Sequence, residues 1–181
     1  QRVCAVPGYG SKVPLYILGS SLFGAQLAAI LGLPFAFASH FAPDALEQAI
    51  GIYRSEFEPS EQLQEPYVML GFNICAADND EEATYLKSSG LQALINLRSG
   101  NPGPLPPPIR DFEKNLCGAE KQLVSQSKSA SSTGAMGKIR EDVSNFISHT
   151  LADELIITSQ IFDHSARVRS YEISQEAFKG L

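Results

Sequence analysis

Short apolar runs alternate with stretches of helical periodicity along most of the chain, and this alternation restricts the fold more than any other feature. The clearest apolar run, 67–76, puts purely apolar side chains on one face and mixed ones on the other, as a strand does. Predicted strands span 13–20, 35–39, 67–76 and 153–159, and predicted helices span Leu22–Leu31, 43–57, 83–98, 111–124, 138–150 and 166–178.

Strands that alternate with helices favour a parallel sheet with helical crossovers. About four βα units are present, whereas a closed (β/α)8 barrel has eight in typically ~250 residues. The sequence therefore predicts an α/β fold equivalent to half of a TIM-type barrel. A small open doubly wound sheet is the alternative, although the GxGxxG fingerprint is absent. With 181 residues, 44% of them apolar, we expect one domain over 1–181.

Charge and cysteine content exclude several other classes of protein. The formal charge is −6, without a cluster of Lys and Arg, so we expect no nucleic-acid partner. Cys4, Cys75 and Cys117 lie far apart, which argues against a disulfide framework and a zinc site and favours a reduced, cytoplasmic setting. The longest apolar stretch, 15–41, is interrupted by Gly, Ser, Gln and Pro, so we expect no membrane helix. We see no signal peptide either.

The segment ILGSSLFGAQLAAILGLPFAFASHFAP, at 17–43, resembles the luciferase-like, flavin-dependent monooxygenase family. The resemblance continues through PYVMLGFNICAADNDEEA at 66–83 and ADELIITSQIFDH at 152–164, and it covers nearly the whole chain. It implies a full (β/α)8 barrel that binds reduced FMN, in preference to the deazaflavin F420, and uses O2 to oxidise a small organic substrate. A separate reductase would supply the reduced flavin.

By the same resemblance, the four predicted strands correspond to the C-terminal half of the barrel. The first four strands, which in the family carry a catalytic histidine and much of the flavin pocket, have no counterpart in this sequence. The chain opens on Gln1 and reaches a strand-like run within about a dozen residues, so we expect further sequence upstream.

The turn between the first strand and the first helix is the main candidate for cofactor binding. Gly19, Ser20, Ser21, Leu22 and Gly24 place helix N-terminal amides and two hydroxyls where they can converge on a phosphate. From the residues alone, an ordinary serine N-cap with a glycine for close packing is the better explanation. The resemblance reverses this preference, since it implies that the FMN phosphate lies at this turn.

Histidines and polar residues near the ends of the strands are weaker candidates. His40 follows the second strand and is a candidate to line the flavin or substrate pocket, although a lone histidine is more often structural. Asn73 and Cys75 share the mixed face of the third strand and can approach the flavin, but filling of the barrel interior is the simpler interpretation. His164 is a still weaker candidate, and we expect His149 to act only as a favourable charge near a helix C-terminus.

Three other segments have a specific prediction. The proline-rich segment 101–109 predicts a stiff surface crossover, and 125–132 predicts a mobile loop. Asp78 or Asp80 is expected to cap the helix that follows the third strand. At 132–138 (STGAMGK) the sequence departs from the Gly-Ser/Thr-Pro of the family, so this helix start is expected to be looser.

The sequence leaves three functional hypotheses open. The first is part of an FMN-dependent monooxygenase acting on a small molecule. The second is a non-catalytic half-barrel, completed by self-association or by a complementary half, because unpaired parallel edges and a half-covered interior favour association. The third is a truncated or decayed reading frame.

Overall fold

A computed structural model describes residues 3–4 and 6–181 as a parallel α/β fold, and so confirms the predicted fold class. The described part contains five strands: β1 (Ile17–Gly19), β2 (Phe35–Phe37), β3 (Val68–Ala76), β4 (Ser131–Gly134) and β5 (Glu154–Thr158). Its α-helices are α1 (Leu22–Leu31), α2 (Leu46–Ser55), α3 (Asp80–Arg98), α4 (Gly118–Gln126), α5 (Met136–Thr150) and α6 (His164–Ala177). Short 3-10 turns at Pro43–Ala45 and Phe112–Asn115 precede α2 and α4.

The sheet is centred on β3, and all of its strand pairs are parallel. β1 pairs with β2 and β2 with the start of β3, while β5 pairs with the opposite edge of β3. β4 pairs with the last four residues of β3, on the same edge as β2 but further along. All strands therefore end at one side of the sheet, where functional residues collect in parallel α/β folds.

One face of the sheet carries the core. The predicted apolar face of β3 is confirmed, because Val68, Leu70, Phe72 and Ile74 are at most 1% exposed. Helices α1, α2, α5 and α6 pack against this face. Their buried residues join one cluster, including Ala25, Ala28, Ala49, Tyr53, Ile139, Val143 and Ile173. Helices therefore cover this face along most of its length.

The opposite face is largely open among the described residues. Leu18 of β1 aligns with Met69 of β3 and, across β3, with Glu154 of β5, so the three share this face. Leu18 is 73% exposed, and Ile156, which aligns with Gly71 on the same face, is 46% exposed. Apolar side chains thus face solvent on the side that a closed barrel would bury.

The predicted count of four strands is wrong, because part of the expected mobile loop forms β4. Serine, threonine and glycine favour turns, which is why 125–132 reads as a loop. The strand forms because the backbone of β4 completes the C-terminal edge of β3, where the amide of Asn73 donates to the carbonyl of Ala130 at 3.0 Å. Ser132, 3% exposed, donates to Asp142 of α5 at 2.6 Å. Burial and pairing over a long sequence distance therefore outweigh the local turn preference.

The expected caps of α3 are also wrong. The side chain of Asn79 caps the helix by accepting from the amide of Glu82 at 2.9 Å. Asp80 instead accepts from the amide of Ala135 at 2.7 Å, and Asp78 pairs with Arg169 at 2.7 Å. Both carboxylates therefore hold neighbouring elements together.

Other predicted boundaries shift by a few residues. The first strand is confined to Ile17–Gly19 rather than 13–20. The regions predicted as helices at 43–57 and 111–124 each begin with a 3-10 turn, and the α-helix follows it. The proline-rich 101–109 forms neither helix nor strand, as predicted. No helix of the described residues combines the length and apolarity needed to cross a membrane.

Candidate functional site

The predicted phosphate turn lies where β1 ends and α1 begins. Ser21 occupies the N-cap position with extended backbone, yet its side chain makes no capping hydrogen bond. Ser20 and Ser21 are both exposed. The amides of the first turn of α1 and two hydroxyls therefore remain available to an anion, which is the arrangement that binds phosphate at a helix N-terminus.

Two glycines bring this helix end close to the strand. A Cβ built on Gly19 or on Gly24 would lie 3.3 Å from the Cα of the other glycine, tighter than ordinary side-chain contacts. The carbonyl of Gly19 accepts from the amide of Ala38 at 2.9 Å, two residues before His40. The turn and His40 are thus placed on adjacent strands at the same edge of the sheet.

His40 sits over a glycine of β3. A Cβ on Gly71 would come within 2.7 Å of Cε1 of the His40 ring and closer still to Nδ1, so the ring occupies the space that a side chain would fill. Nδ1 of His40 is buried and has no hydrogen-bond partner among the described residues. Burial lowers the pKa of His40, so the ring is neutral at pH 7. Because Nδ1 faces Gly71, a ligand in the cavity would meet other atoms of the neutral ring.

His40 lines a cavity of about 250 Å3, which we call the His40 cavity. It lies between α3 and the C-terminal ends of β3 and β4, and its walls are partly apolar and partly polar. The apolar wall includes Leu91, Leu94 and Leu97 of α3 and Leu123 of α4; the polar wall includes His40, Asn73, Lys87, Thr133 and Gln160. Asn73 and Cys75, the two candidates on β3, both line this cavity.

The phosphate turn is not part of that lining. Of the six residues singled out as a cofactor site, the described structure places only His40 in the cavity, while Gly19, Ser20, Ser21, Leu22 and Gly24 lie at the same sheet edge outside it. His149 bonds to Glu47 at 2.8 Å and His164 to Arg167 at 2.9 Å, both on the surface. Neither histidine lines the His40 cavity.

Burial shifts the pKa values of two further groups in the cavity wall. The pKa of the Cys75 thiol rises to about 12, mainly because burial disfavours the thiolate. Burial lowers the pKa of Lys87, and the negative charge of Glu113 partly opposes this shift. Cys75 is therefore a poor nucleophile, whereas Lys87 is a partly desolvated amine inside a cavity.

Sequence reasoning missed Lys87 and the whole contribution of α3. One signal was present: Lys87 lies in the row Ala83, Leu86, Gly90 and Leu94, spaced by three and four residues, so a lysine interrupts a stripe that is otherwise apolar or small. Such a stripe marks the buried side of a helix. A charge within it needs a partner or a ligand.

Comparison with known proteins shows which family has this fold and this sequence. A family model described as luciferase-like monooxygenase matches residues 1–148. The chain belongs to this family. The resemblance seen in the sequence is therefore confirmed.

Two relatives within this family illustrate the match. A luciferase-like monooxygenase of Escherichia coli (strain K12) is 49% identical over 175 residues, which cover 97% of this chain and 52% of that protein. An uncharacterised protein of Bacillus subtilis (strain 168) is 41% identical over 179 residues, covering 99% of this chain and 53% of that protein. The chain spans about half the length of the curated relatives that it matches.

The chain also spans about half the length of the solved structures that it matches. The crystal structure of apo-MsnO8 superposes with a TM-score of 0.77 at 26% identity, covering 96% of this luciferase-like chain and 53% of that one. Two more distant structures share the fold: a riboflavin lyase with modified FMN and riboflavin (TM-score 0.57, 16% identity, 94% and 45% covered) and an F420-dependent secondary alcohol dehydrogenase (TM-score 0.56, 13% identity, 93% and 50% covered).

Proposed function

We propose that this chain is the C-terminal half of the barrel of a flavin-dependent monooxygenase, which uses reduced FMN and O2 to oxidise a small organic molecule. The observation that carries the proposal is the first turn of α1, beside the strand that leads to His40. There the side chain of Ser21 makes no capping hydrogen bond, Ser20 is exposed, and Gly19 and Gly24 let the helix end approach the strand closely. Family membership supports the reaction class. The full activity also requires the first half of the barrel, to which the family resemblance assigns the catalytic histidine.

The residues at this edge fit a phosphate-bearing flavin. The hydroxyls of Ser20 and Ser21 and the amides from Leu22 onward can donate to phosphate oxygens, and Gly24 lets the helix end approach the strand. When bound, reduced flavin supplies the electrons for O2 activation. The neutral His40 ring lines the cavity and can contact flavin or substrate there, while its Nδ1 faces Gly71. We favour FMN over F420 because of the family resemblance, and a separate reductase as the source of reduced flavin.

Removing the two hydroxyls should weaken the binding of FMN. In Ser20→Ala/Ser21→Ala, we expect the dissociation constant for anaerobically reduced FMN to rise about tenfold or more, since hydrogen bonds to charged groups contribute ~1.5–3 kcal/mol each. Anaerobic titration calorimetry measures the change, with oxidised FMN and F420 as comparison ligands. Ser55→Ala/Ser125→Ala, which removes two exposed serines elsewhere, is the matched control. Equal affinities in both double variants would remove the turn from the site.

The open sheet face favours a second candidate function, that of a half-barrel completed by a second copy or by a complementary half. Leu18 and Ile156 are exposed on this face, and the outer edge of β1 has no strand partner among the described residues. Exposed parallel edges and apolar faces promote association. A dimer or larger species is therefore expected from the chain alone.

Sedimentation velocity tests this second candidate. We expect Leu18→Glu to shift the chain toward monomer, because a carboxylate on the open face opposes apolar contact. Ile30→Glu makes the same kind of change on the exposed side of α1, 60% exposed, and should leave association unchanged. A wild-type chain that sediments sharply as a stable monomer would contradict the idea.

A further inference from the structure

Lys87 makes no ion pair among the described residues, although the charge of the more distant Glu113 acts on it. It projects from α3 into the wall shared by the His40 cavity and a second cavity of about 550 Å3, which we call the lysine cavity. Lys128 and Lys138 also line the lysine cavity, but they pair with Glu113 at 3.7 Å and with Asp142 at 3.0 Å. The ammonium of Lys87 makes neither an ion pair nor a hydrogen bond within the described part of the chain.

The local charge is opposite in sign to that of the protein. The chain as a whole carries −6, yet three lysines and only two carboxylates line the lysine cavity. The excess positive charge is Lys87 itself, and it is partly buried. Desolvation of an unpaired ammonium is unfavourable, so an incoming anion would relieve a cost already present in the fold.

The other end of the His40 cavity is largely apolar, although Arg98 and Asp44 also line the cavity. Leu91, Leu94 and Leu97 of α3 and Leu123 of α4 form this wall, while Lys87 and Thr133 lie at the boundary with the lysine cavity. The volume of about 250 Å3 equals that of about eight water molecules at roughly 30 Å3 each, which is room for a small organic ligand. A ligand that matches both ends has an anionic head and a short apolar tail.

We propose that the His40 cavity binds a small carboxylic acid, whose carboxylate pairs with Lys87 and whose apolar tail lies along the leucines of α3. One unpaired lysine matches a single negative charge better than a phosphate dianion. The lowered pKa of Lys87 agrees with this, because a carboxylate neighbour would favour the protonated amine again. Binding itself does not depend on flavin. Only the further step, that this acid is the substrate to be oxidised, rests on the proposed function.

Calorimetric titration of the flavin-free full chain with hexanoate tests the site. We expect saturable binding of hexanoate, about fourfold weaker for each methylene removed toward acetate, and no comparable binding of hexan-1-ol. Lys87→Met should weaken hexanoate binding about ten- to a hundredfold, as expected for loss of a hydrogen bond to a charged group. Lys121→Met, an exposed lysine on α4 outside both cavities, is the control and should bind as the wild type does.

Two further measurements keep the test decisive. Lys87→Met removes a partly buried charge, so thermal unfolding should show no loss of stability; if that variant does not fold, Lys87→Gln replaces it. Leu94→Ala should weaken hexanoate while leaving acetate unchanged, because it shortens only the apolar wall.

Each contrary result overturns a defined part of the inference. Equal binding of hexan-1-ol and hexanoate, or unchanged binding by Lys87→Met, excludes the Lys87 carboxylate site. Inorganic phosphate that binds more tightly than hexanoate and displaces it assigns the site to a free anion instead. Reduced FMN is titrated separately: FMN binding without hexanoate binding defeats this inference alone, and hexanoate binding without FMN binding defeats the proposed phosphate turn alone.

Discussion

Gly32→Ala should lower the free energy of unfolding by about 2–5 kcal/mol. Gly32 ends α1 in the left-handed region, at φ 59°, and its amide reaches back to the carbonyls of Ala28 and Ala29. A Cβ there would meet the carbonyl oxygen of Glu58 and lie 2.7 Å from Cβ of Ser60. The left-handed backbone costs a non-glycine residue ~1–2 kcal/mol, and crowding in a packed region adds ~1–3 kcal/mol. Urea denaturation measures the sum.

Gly100→Ala separates the two contributions. Gly100 follows α3 at φ 77°, also left-handed, but nothing lies within 4 Å of a Cβ placed there. We therefore expect a loss of only about 1–2 kcal/mol, the backbone cost alone. If both variants lose the same amount, the segment that carries Glu58 and Ser60 moves aside, and the contact between α1 and this segment is looser than the structure indicates.

The behaviour of α1 shows what local sequence determines. The predicted bounds of Leu22–Leu31 are confirmed for α1, because small residues on its buried face and the glycine directly after it are local signals. The face of β3 that packs into the core is likewise readable from alternation alone. These features depend on neighbours a few residues away in the chain.

β4 and the cap of α3 depend on contacts that no local pattern contains. β4 is a Ser-Ser-Thr-Gly segment that becomes a strand because the end of β3 offers it backbone partners more than fifty residues away. Asp80 was expected at the cap, but it bonds to Ala135, immediately after β4. Both differences have one cause: the C-terminal end of β3 extends beyond β2 and pairs with the segment that follows α4.

The candidate site likewise has parts that the sequence indicates and parts that only the structure shows. The turn at 19–24 is a candidate because of the family resemblance, since the residues alone favour an ordinary N-cap. His40 is a candidate because it follows a predicted strand, and residues at the ends of parallel strands meet at one edge. The His40 cavity could not be predicted, since α3 and β4 supply half of the residues that line it. Lys87 therefore gained its significance only when the position of α3 was known.

Tyr53→Phe should cost about 2 kcal/mol of stability. The Tyr53 ring is fully buried against Phe35 and Phe57, and its hydroxyl donates to the carbonyl of Leu33 at 3.0 Å while accepting from the amide of Tyr67 at 3.0 Å. Burial raises the pKa of Tyr53, so the hydroxyl remains a donor. Phenylalanine keeps the ring but leaves two backbone groups without this partner, and each such partly buried group costs ~1–3 kcal/mol, reduced where water can reach it.

Tyr67→Phe makes the same chemical change in a different environment and serves as the control. Its hydroxyl donates to Glu154 at 2.8 Å on the open face, a bond that raises the pKa of Tyr67 to about 12. Water can replace an exposed partner, so we expect a loss under about 0.5 kcal/mol. If urea denaturation gave equal losses for the two variants, the Tyr53 hydroxyl would not be what ties α2 to the starts of β2 and β3. The ring contacts alone would then hold this end of the sheet to its helices.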